Sequence, residues 1–174
     1  MSQRPMHRRA VPTLIGGAFI LTLASASNAQ ISVASSATFA TGSNPSGAAI
    51  GDFTGDGLAD IATAVDGPDR IQILAGDGNG AFVAGPTVAL GNNTGAGDVI
   101  ALDIDNDGDL DLAVSLKNQN AVRILRNVGG GAFTVAATVT TGGESVGPDA
   151  ADFDNDGDQD LVVANRGDDT VSVI

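Results

Sequence analysis

Asp152-Phe-Asp154-Asn-Asp156-Gly157-Asp158-Gln-Asp160 is a nine-residue stretch in which every second residue is an aspartate and position six is a glycine. Two similar stretches come earlier, at residues 52–60 and 103–111, and the three start 51 and 49 residues apart. We call them the first, second and third acidic loops in chain order. A period of about fifty residues is typical of propellers and solenoids. Alternating aspartates around a glycine are typical of a calcium-binding loop. The stretch therefore predicts both a repeat fold and a bound cation.

Each acidic loop leads into two short apolar runs that predict β-strands. The first run starts at the last aspartate of the loop and is apolar at nearly every position, as in residues 160–164. The second run alternates apolar and polar residues, as in 122–125. Both are rich in Val, Ile and Leu and are bounded by Gly, Asn and Asp, which is typical of strands. We expect the first run to be covered on both faces and the second to have one solvent face.

Two further strands complete each unit. One follows a glycine-rich turn and begins at Phe82 and at Phe133, each 30 residues after the start of its acidic loop. The other precedes the acidic loop, as in residues 48–51 and 99–102. Four short antiparallel strands per fifty residues are typical of a propeller blade. The sequence thus predicts an all-β fold, a partial β-propeller of four-stranded antiparallel blades with about two and a half repeats.

The same pattern divides the chain into segments. Residues 30–47 are predicted to be an N-terminal strand or linker, followed by repeat 1 at 48–97, repeat 2 at 98–147 and a partial repeat 3 at 148–174. A blade cannot bury both faces of its sheet alone, so its neighbours must cover them. A closed propeller usually has four to eight blades. We therefore expect the remaining blades to come from a longer chain or from self-association.

Residues 1–29 have the layout of a secretory signal peptide. Arg4, Arg8 and Arg9 precede an apolar run over residues 10–23, and small residues lead to a predicted cleavage site after Ala29. The apolar run is short for a membrane span and contains proline and glycine, which favours a signal over an anchor. We expect a secreted or cell-surface protein with no membrane span once the signal is removed.

Charge and cysteine content narrow the function classes. After residues 1–29 are removed, five basic residues stand against 21 acidic ones, a net charge of −16. Nucleic-acid binding is therefore excluded, because phosphate recognition needs basic patches. Thirteen of the twenty aspartates lie in the acidic loops, which indicates local cation binding. The chain has no cysteine, so bound metal is the predicted substitute for disulfides as a stabilising element.

Alternate positions of each acidic loop are the predicted metal ligands. Side chains at positions one, three, five and nine can face one centre if the glycine at position six allows a tight turn, and the backbone carbonyl of position seven points inward. The predicted ligands are Asp52, Thr54, Asp56, Leu58 and Asp60 in the first loop; Asp103, Asp105, Asp107, Asp109 and Asp111 in the second; and Asp152, Asp154, Asp156, Asp158 and Asp160 in the third. Oxygen-only ligands favour calcium over zinc or magnesium, so we expect up to three Ca²⁺ ions. The first loop should bind more weakly, because Thr54 stands where the others have aspartate.

Simple β-turns and an EF-hand are the two alternatives to a propeller-type calcium loop at these positions. Asp-Gly and Asn-Gly pairs are common in simple β-turns, but three loops at one spacing, each before a strand, favour a metal site. An EF-hand needs glutamate at position twelve and flanking helices. Position twelve is Thr63, Val114 or Val163, and the flanks read as strands, so an EF-hand is rejected.

The stretch from Asp152 to Asn165 resembles the FG-GAP/VCBS repeats, which also build the calcium-binding β-propeller of integrin α chains. The resemblance covers roughly residues 45–174. It implies a seven-bladed propeller with calcium at loops on one rim and ligands often bound on the other. It also implies that the aspartates of the second and third loops named above form the ligand set, with the backbone of Asp109 and Asp158, and that the first loop matches except at Thr54.

Few residues could support catalysis. The only histidine, His7, lies in the predicted signal, no cysteine exists and Lys117 is the only lysine, so common nucleophile–base pairs are excluded. A phosphate-loop interpretation of residues 76–80 fails because a strand follows, not a helix. Arg166-Gly167-Asp168 spells a tripeptide known for binding integrins, but it falls between two predicted strands and is interpreted as a turn.

Together these features predict a secreted calcium-binding FG-GAP/VCBS-type repeat protein that is not an enzyme. Its expected role is an extracellular adhesion or interaction scaffold, with an extracellular protein or polysaccharide as ligand. The alternative is a non-catalytic, lectin-like carbohydrate-binding module of a larger secreted hydrolase or lyase. The chain has no Trp or Tyr to serve as a sugar platform.

Overall fold

Short apolar runs separated by Gly, Asn and Asp turns fold into antiparallel β-sheets. The computed structural model describes residues 37–174, and the predicted signal peptide and residues 30–36 of the predicted N-terminal segment lie outside them. The strands are β1 Pro45–Gly51, β2 Asp60–Val65, β3 Arg70–Gly76, β4 Phe82–Ala89, β5 Ala96–Leu102, β6 Asp111–Leu116, β7 Ala121–Asn127, β8 Phe133–Thr140, β9 Ser145–Ala151, β10 Asp160–Asn165 and β11 Thr170–Val173. A three-residue 3₁₀ turn, Lys117–Gln119, is the one helical element among residues 37–174.

The strands form three separate sheets in chain order. The first sheet is β1-β2-β3-β4, the second is β5-β6-β7-β8, and the third is β9-β10-β11. Every pairing is antiparallel between consecutive strands. The all-β class and the four-stranded antiparallel units predicted from the sequence are confirmed. The predicted repeat boundaries at residues 48, 98 and 148 fall inside β1, β5 and β9, which start two or three residues earlier.

Consecutive sheets are in contact through their first strands. β1 contacts β5 and β5 contacts β9. Ser46 Oγ in β1 donates to the carbonyl oxygens of Ala96 (2.7 Å) and Gly97 (2.9 Å) in β5. The Gly147 N–H in β9 donates to Asp98 Oδ2 (2.9 Å). Consecutive sheets therefore pack face to face, and the acidic loops, which follow each first strand, are brought to the same end of the sheets.

Strand β6 of the second sheet is buried on both faces. Leu112, Val114 and Leu116 in β6 belong to an apolar cluster shared with the first sheet. Ala113, between them, belongs to a cluster shared with the third sheet, together with Leu161. Because successive strand residues point to opposite faces, every residue of β6 is buried. This confirms that the first apolar run is covered on both faces in the second sheet.

The prediction that the second apolar run keeps one solvent face is wrong for β3. Residues Ile71, Gln72, Ile73 and Leu74 are all buried. The polar member satisfies its amide locally, because Gln72 Nε2 donates to the carbonyls of Ile73 (2.8 Å) and Gly85 (3.0 Å). A polar residue in an alternating strand predicts a solvent position, but the hydrogen bonds of the Gln72 amide allow this side chain to be buried.

Candidate metal centre

The three acidic loops share one backbone conformation. The glycine at position six has positive φ in each loop: 84° at Gly57, 94° at Gly108 and 98° at Gly157. Position four is also left-handed, with Gly55 at 76°, Asn106 at 56° and Asn155 at 63°. Glycine adopts this region without a Cβ clash, and asparagine tolerates it better than most residues. The Asn/Gly and Gly pair thus curls each loop as the sequence predicted.

The aspartate at position one holds the curl together. In the first loop, Asp52 accepts hydrogen bonds from the N–H groups of Gly55 (2.8 Å) and Gly57 (2.7 Å). Asp103 accepts from Gly108 N (3.1 Å), and Asp152 accepts from Asn155 N (2.6 Å) in the same way. The aspartate at position five in turn accepts the N–H of position seven, at 2.9–3.0 Å in all three loops. These bonds fix the directions of the carboxylates before any ligand binds.

The aspartate at position nine anchors the loop to its sheet. Asp60 is fully buried. Its Oδ2 accepts from Phe53 N (3.0 Å) and Thr54 N (2.9 Å), and its Oδ1 accepts from Gly76 N (2.9 Å) at the end of β3. Position nine was predicted as a ligand that closes the metal shell. In the first loop its two oxygens are already shared among three backbone donors.

The position-nine aspartates of the second and third loops accept fewer backbone hydrogen bonds than Asp60 does. Asp111 Oδ2 accepts from Ile104 N (3.3 Å), and its Oδ1 accepts from Asn127 N (2.7 Å). Asp160 accepts one N–H, from Phe153 (2.8 Å). A carboxylate oxygen can accept more than one hydrogen bond or ligand, so these two anchors keep more capacity for a cation than Asp60 does.

Carboxylate oxygens converge in two of the three loops. In the second loop, Asp103, Asp105 and Asp111 each offer an oxygen within 4.8 Å of the other two. In the third, Asp152, Asp154 and Asp156 do the same. Calcium binds oxygens at 2.3–2.6 Å, so any two of its ligands lie at most about 5 Å apart. Both oxygen sets therefore fit a calcium ion.

The other predicted ligands lie outside these clusters of carboxylate oxygens. Asp107 and Asp109 lie outside the clustered set of the second loop, as do Asp158 and Asp160 in the third, and residues 37–174 contain no such acidic cluster in the first loop. The position-seven carbonyls of Leu58, Asp109 and Asp158 accept no hydrogen bond from within residues 37–174. Those carbonyls are therefore free to contribute an oxygen.

Thr54 is the atypical ligand of the first loop. Its Oγ1 is buried and has no hydrogen-bond partner among residues 37–174. A buried hydroxyl without a partner is costly, so this oxygen has capacity for a cation or a water. With a hydroxyl instead of a carboxylate at position three, the first loop offers less charge to a cation.

Electrostatics of the second loop reflect its crowding. Burial raises the pKa of Asp111, and the charges of Asp105 and Asp107 add to the increase against the hydrogen bonds from Asn127 and Ile104. The hydrogen bond from Asp109 N, followed by that from Arg126, holds the pKa of Asp107 below its ordinary value. A buried carboxylate beside like charges is what a cation would relieve.

Arg126, at the end of β7, was missed from the sequence. Its Nε lies 2.6 Å from Asp105 Oδ2, and its Nη2 lies 3.3 Å from Asp107 Oδ2. The only signal available was the register of the repeat, which pairs the end of the third strand with the acidic loop. Since the corresponding residue of the first sheet is Ala75, comparison of the repeats gave no reason to expect a cation there.

Position two of the loop is a packing residue that also escaped notice. Phe53 is fully buried between the first and second sheets and stacks edge-on against Phe133, with ring centroids 6.1 Å apart. Its carbonyl accepts from Gly131 N (3.0 Å) and Asn127 Nδ2 (3.1 Å). The first acidic loop is thus positioned against the second sheet, and Ile104 of the second loop packs against the cluster shared with the third sheet. Asn106 Nδ2 also reaches Asp158 Oδ1 (3.3 Å), so the second and third loops touch.

Two other sequence motifs are turns in the structure. Residues 76–80 belong to the β3–β4 hairpin, where Asp77 Oδ1 accepts from Asn79 N (2.8 Å) and Ala81 N (3.0 Å). The Arg166-Gly167-Asp168 tripeptide lies between β10 and β11, with Arg166 paired to Glu144 and Asp168 Oδ2 accepting from Gly143 N (2.6 Å). Their functional groups are therefore engaged within the fold, which agrees with the turn interpretations.

Comparison with known proteins gives one family. The family model described as FG-GAP-like repeat matches residues 52–114 and 113–163. No curated protein sequence matches the chain. Within the part of the chain that the structure describes, no helix has the length and apolar character needed to cross a bilayer.

Proposed function

The chain belongs to the FG-GAP-like repeat family and is a β-propeller-type repeat protein, and from this premise we propose that it is secreted, binds calcium at its acidic loops and serves as an extracellular scaffold. The observation that carries the proposal is the convergence of three carboxylates in each of the second and third loops. Like charges held this close repel one another, by about 1 kcal/mol per pair at 4 Å in water and more where water is excluded. A divalent cation converts that repulsion into attraction.

In this proposal, the aspartates of each loop shape its backbone and offer oxygens to the cation. Asp103 and Asp152 shape their loops by accepting backbone N–H groups, and each also offers an oxygen to the carboxylate cluster of its loop. Calcium, when bound, supplies a double positive charge that ties these oxygens together. Because β6 and β10 start at the ninth position of their loops, a stiffened loop also fixes where the next strand begins.

A scaffold role follows from stiffened sheets rather than from a reactive centre. Residues 30–174 contain no histidine and no cysteine, the side chains that most often serve as a general base or a nucleophile. We propose that the rim or faces of the sheets bind an extracellular protein or polysaccharide. We also propose a partial propeller in which further strands, from a longer chain or a second copy, cover the third sheet. Val171 and Val173 of β11 are 65% and 64% exposed, which supports this arrangement.

Calcium titration tests the proposal directly. The full chain, freed of metal with EDTA and then dialysed, would be titrated with CaCl₂ by calorimetry, with MgCl₂ as the matched control. We expect up to three binding events, of which two are tighter, and a higher melting temperature in calcium. Magnesium at the same concentration should have a much smaller effect, because it demands stricter geometry and keeps its waters. No binding heat together with an unchanged melting temperature would overturn the proposal.

A further inference from the structure

Arg126 places a fixed positive charge on the candidate calcium site of the second loop. Its guanidinium spans the aspartates at positions three and five, with Nε 2.6 Å from Asp105 Oδ2 and Nη2 3.3 Å from Asp107 Oδ2. Asp105 supplies one of the three clustered oxygens of this loop. The charged head of an arginine thus binds a carboxylate that the proposed calcium ion also needs.

The backbone of Arg126 is held close to the loop. The next residue, Asn127, donates its N–H to Asp111 Oδ1 (2.7 Å). Its side-chain Nδ2 donates to the carbonyls of Phe53 and Leu110, both at 3.1 Å. Asn127 is 5% exposed. Only the side chain of Arg126, which is 50% exposed, can move away from the loop, while its Cα stays beside it.

The first loop is built on the same plan without the arginine. Gly76 N donates to Asp60 Oδ1 just as Asn127 N donates to Asp111 Oδ1, so Ala75 occupies the place of Arg126. In the third loop, no aspartate forms an ion pair within residues 37–174, where the other ion pair joins Arg166 to Glu144. Within residues 37–174, the arginine counter-ion is thus present at the second loop and absent from the first.

We propose that Arg126 is an intramolecular competitor for calcium at the second loop, so that calcium binds this loop more weakly than it would without the arginine. The inference rests on the proposed calcium binding. A cation entering the second loop must separate the Arg126–Asp105 ion pair and then remain beside a guanidinium whose backbone cannot retreat. Two like charges a few ångströms apart disfavour each other even in water, and a divalent ion doubles the effect.

Replacing Arg126 with glutamine removes the charge and keeps a polar side chain of similar reach. The matched control is Arg166→Gln, which makes the same charge change and breaks an ion pair of similar length, 2.8 Å, to Glu144. Calcium would be titrated into the full-length wild type and both variants, followed by two-dimensional NMR of backbone amides. The Gly108 amide reports the second loop and the Gly157 amide reports the third, so the two sites are read separately.

We expect both the Gly108 and the Gly157 amides to shift with calcium in the wild type. In Arg126→Gln, the midpoint for Gly108 should fall about tenfold, while the midpoint for Gly157 stays unchanged. Arg166→Gln should alter neither midpoint by more than about twofold. A variant Arg126→Lys, which keeps the charge without the fork, should lie between glutamine and the wild type.

The outcomes separate the two proposals. If neither glycine amide shifts with calcium, calcium binding itself is wrong. If both shift but Arg126→Gln leaves the Gly108 midpoint where it was, or weakens it as loss of a structural contact would, calcium binding stands and the competitor role is overturned. If Arg166→Gln moves the Gly108 midpoint as much as Arg126→Gln does, the effect is one of net charge and the assignment to Arg126 is also overturned.

Discussion

The first and second acidic loops have the same backbone curl but are stabilised differently. In the first loop, the buried Asp60 accepts three backbone hydrogen bonds, and position three is a threonine. In the second, Asp111 accepts two, Asp105 joins a carboxylate cluster, and Arg126 lies against it. The comparison shows two tasks in one motif. Positions one and nine act as a mechanical anchor through backbone hydrogen bonds in both loops, whereas the carboxylate cluster that offers charge to a cation, Asp103, Asp105 and Asp111, is found in the second loop.

The largest expected effect is the loss of the mechanical anchor. Asp60→Ala would leave three N–H groups without their acceptor, and each buried donor costs about 1–3 kcal/mol. We expect the free energy of unfolding in EDTA to fall by at least about 3 kcal/mol, measured by urea denaturation. Asp160→Ala is the matched control, because its carboxylate accepts one N–H and its loss should cost less than half as much. Equal losses in the two variants would show that the anchor does not differ between loops.

Calcium removal should have the next largest effect and should act through the second and third loops. A site that is held at one hundred times its Kd adds about 2.7 kcal/mol of stability. The difference in unfolding free energy between calcium and EDTA should therefore be of this order per site. In Asp105→Asn/Asp154→Asn most of the difference should vanish. Asp149→Asn, which removes one exposed acid outside the loops, should keep the full difference between calcium and EDTA. If this variant also lost the difference, calcium would be acting by general charge screening.

Thr54→Asp would give the first loop the acid that the second loop has. In EDTA, a new carboxylate beside Asp52 and Asp56 should lower stability by about 1 kcal/mol, because like charges repel. In calcium, the same variant should match or exceed the wild type. Melting temperatures of the variant and the wild type, measured in EDTA and in calcium, show whether the effect of the substitution on stability changes sign. Thr54→Asn, which adds no charge, should show no such reversal, and a Thr54→Asp variant destabilised equally in both conditions would break the analogy between the loops.

The smallest expected effect concerns the β2–β3 turn, where Asp69 stands in the first sheet and Asn120 in the second. Burial raises the pKa of Asp69, but hydrogen bonds from Thr94 and Ala96 outweigh burial and hold the pKa below its ordinary value of 3.8. A lowered pKa in the folded state adds stability that is fully present above pH 3.8 and is lost as the pH falls through the folded pKa. Asp69→Asn should therefore lose stability at neutral pH and converge with the wild type in acid. Acid titration of the melting temperature in EDTA checks this, and parallel curves would refute it.

The fold was predictable because its signals are local. Strand length, the apolar content of β6 and the turn residues between strands all depend on neighbouring residues, as do the positive φ angles of Asn106 and Gly108 in the second loop. Gln72 was the exception. A polar residue in an alternating strand predicts a solvent face, but its amide finds backbone carbonyls of the same sheet and is buried. Its burial depends on partners thirteen residues away, which periodicity does not reveal.

The sequence predicted which carboxylates cluster in the candidate site, but not which of its carboxylates are hydrogen-bonded or ion-paired within the fold. Spacing alone identified every aspartate that converges in the second and third loops, because each loop is a short continuous segment. Spacing did not reveal that the carboxylate of Asp60 accepts three backbone hydrogen bonds, because one of the donors, Gly76, belongs to another strand. It did not reveal Arg126 either, because a guanidinium 15 residues beyond the loop acts on it only once β7 is paired with β6.

The sequence by itself determined where the strands and acidic loops lie and which oxygens can meet, because both depend on conformational preferences within a few residues. The tertiary structure decided which of those oxygens are already occupied, which loop carries its own counter-ion and which apolar faces are covered. These outcomes depend on strand register and on the packing of one sheet against the next. Both bring together residues that are distant in the chain, and hydrogen bonding and Coulomb forces act only after that approach.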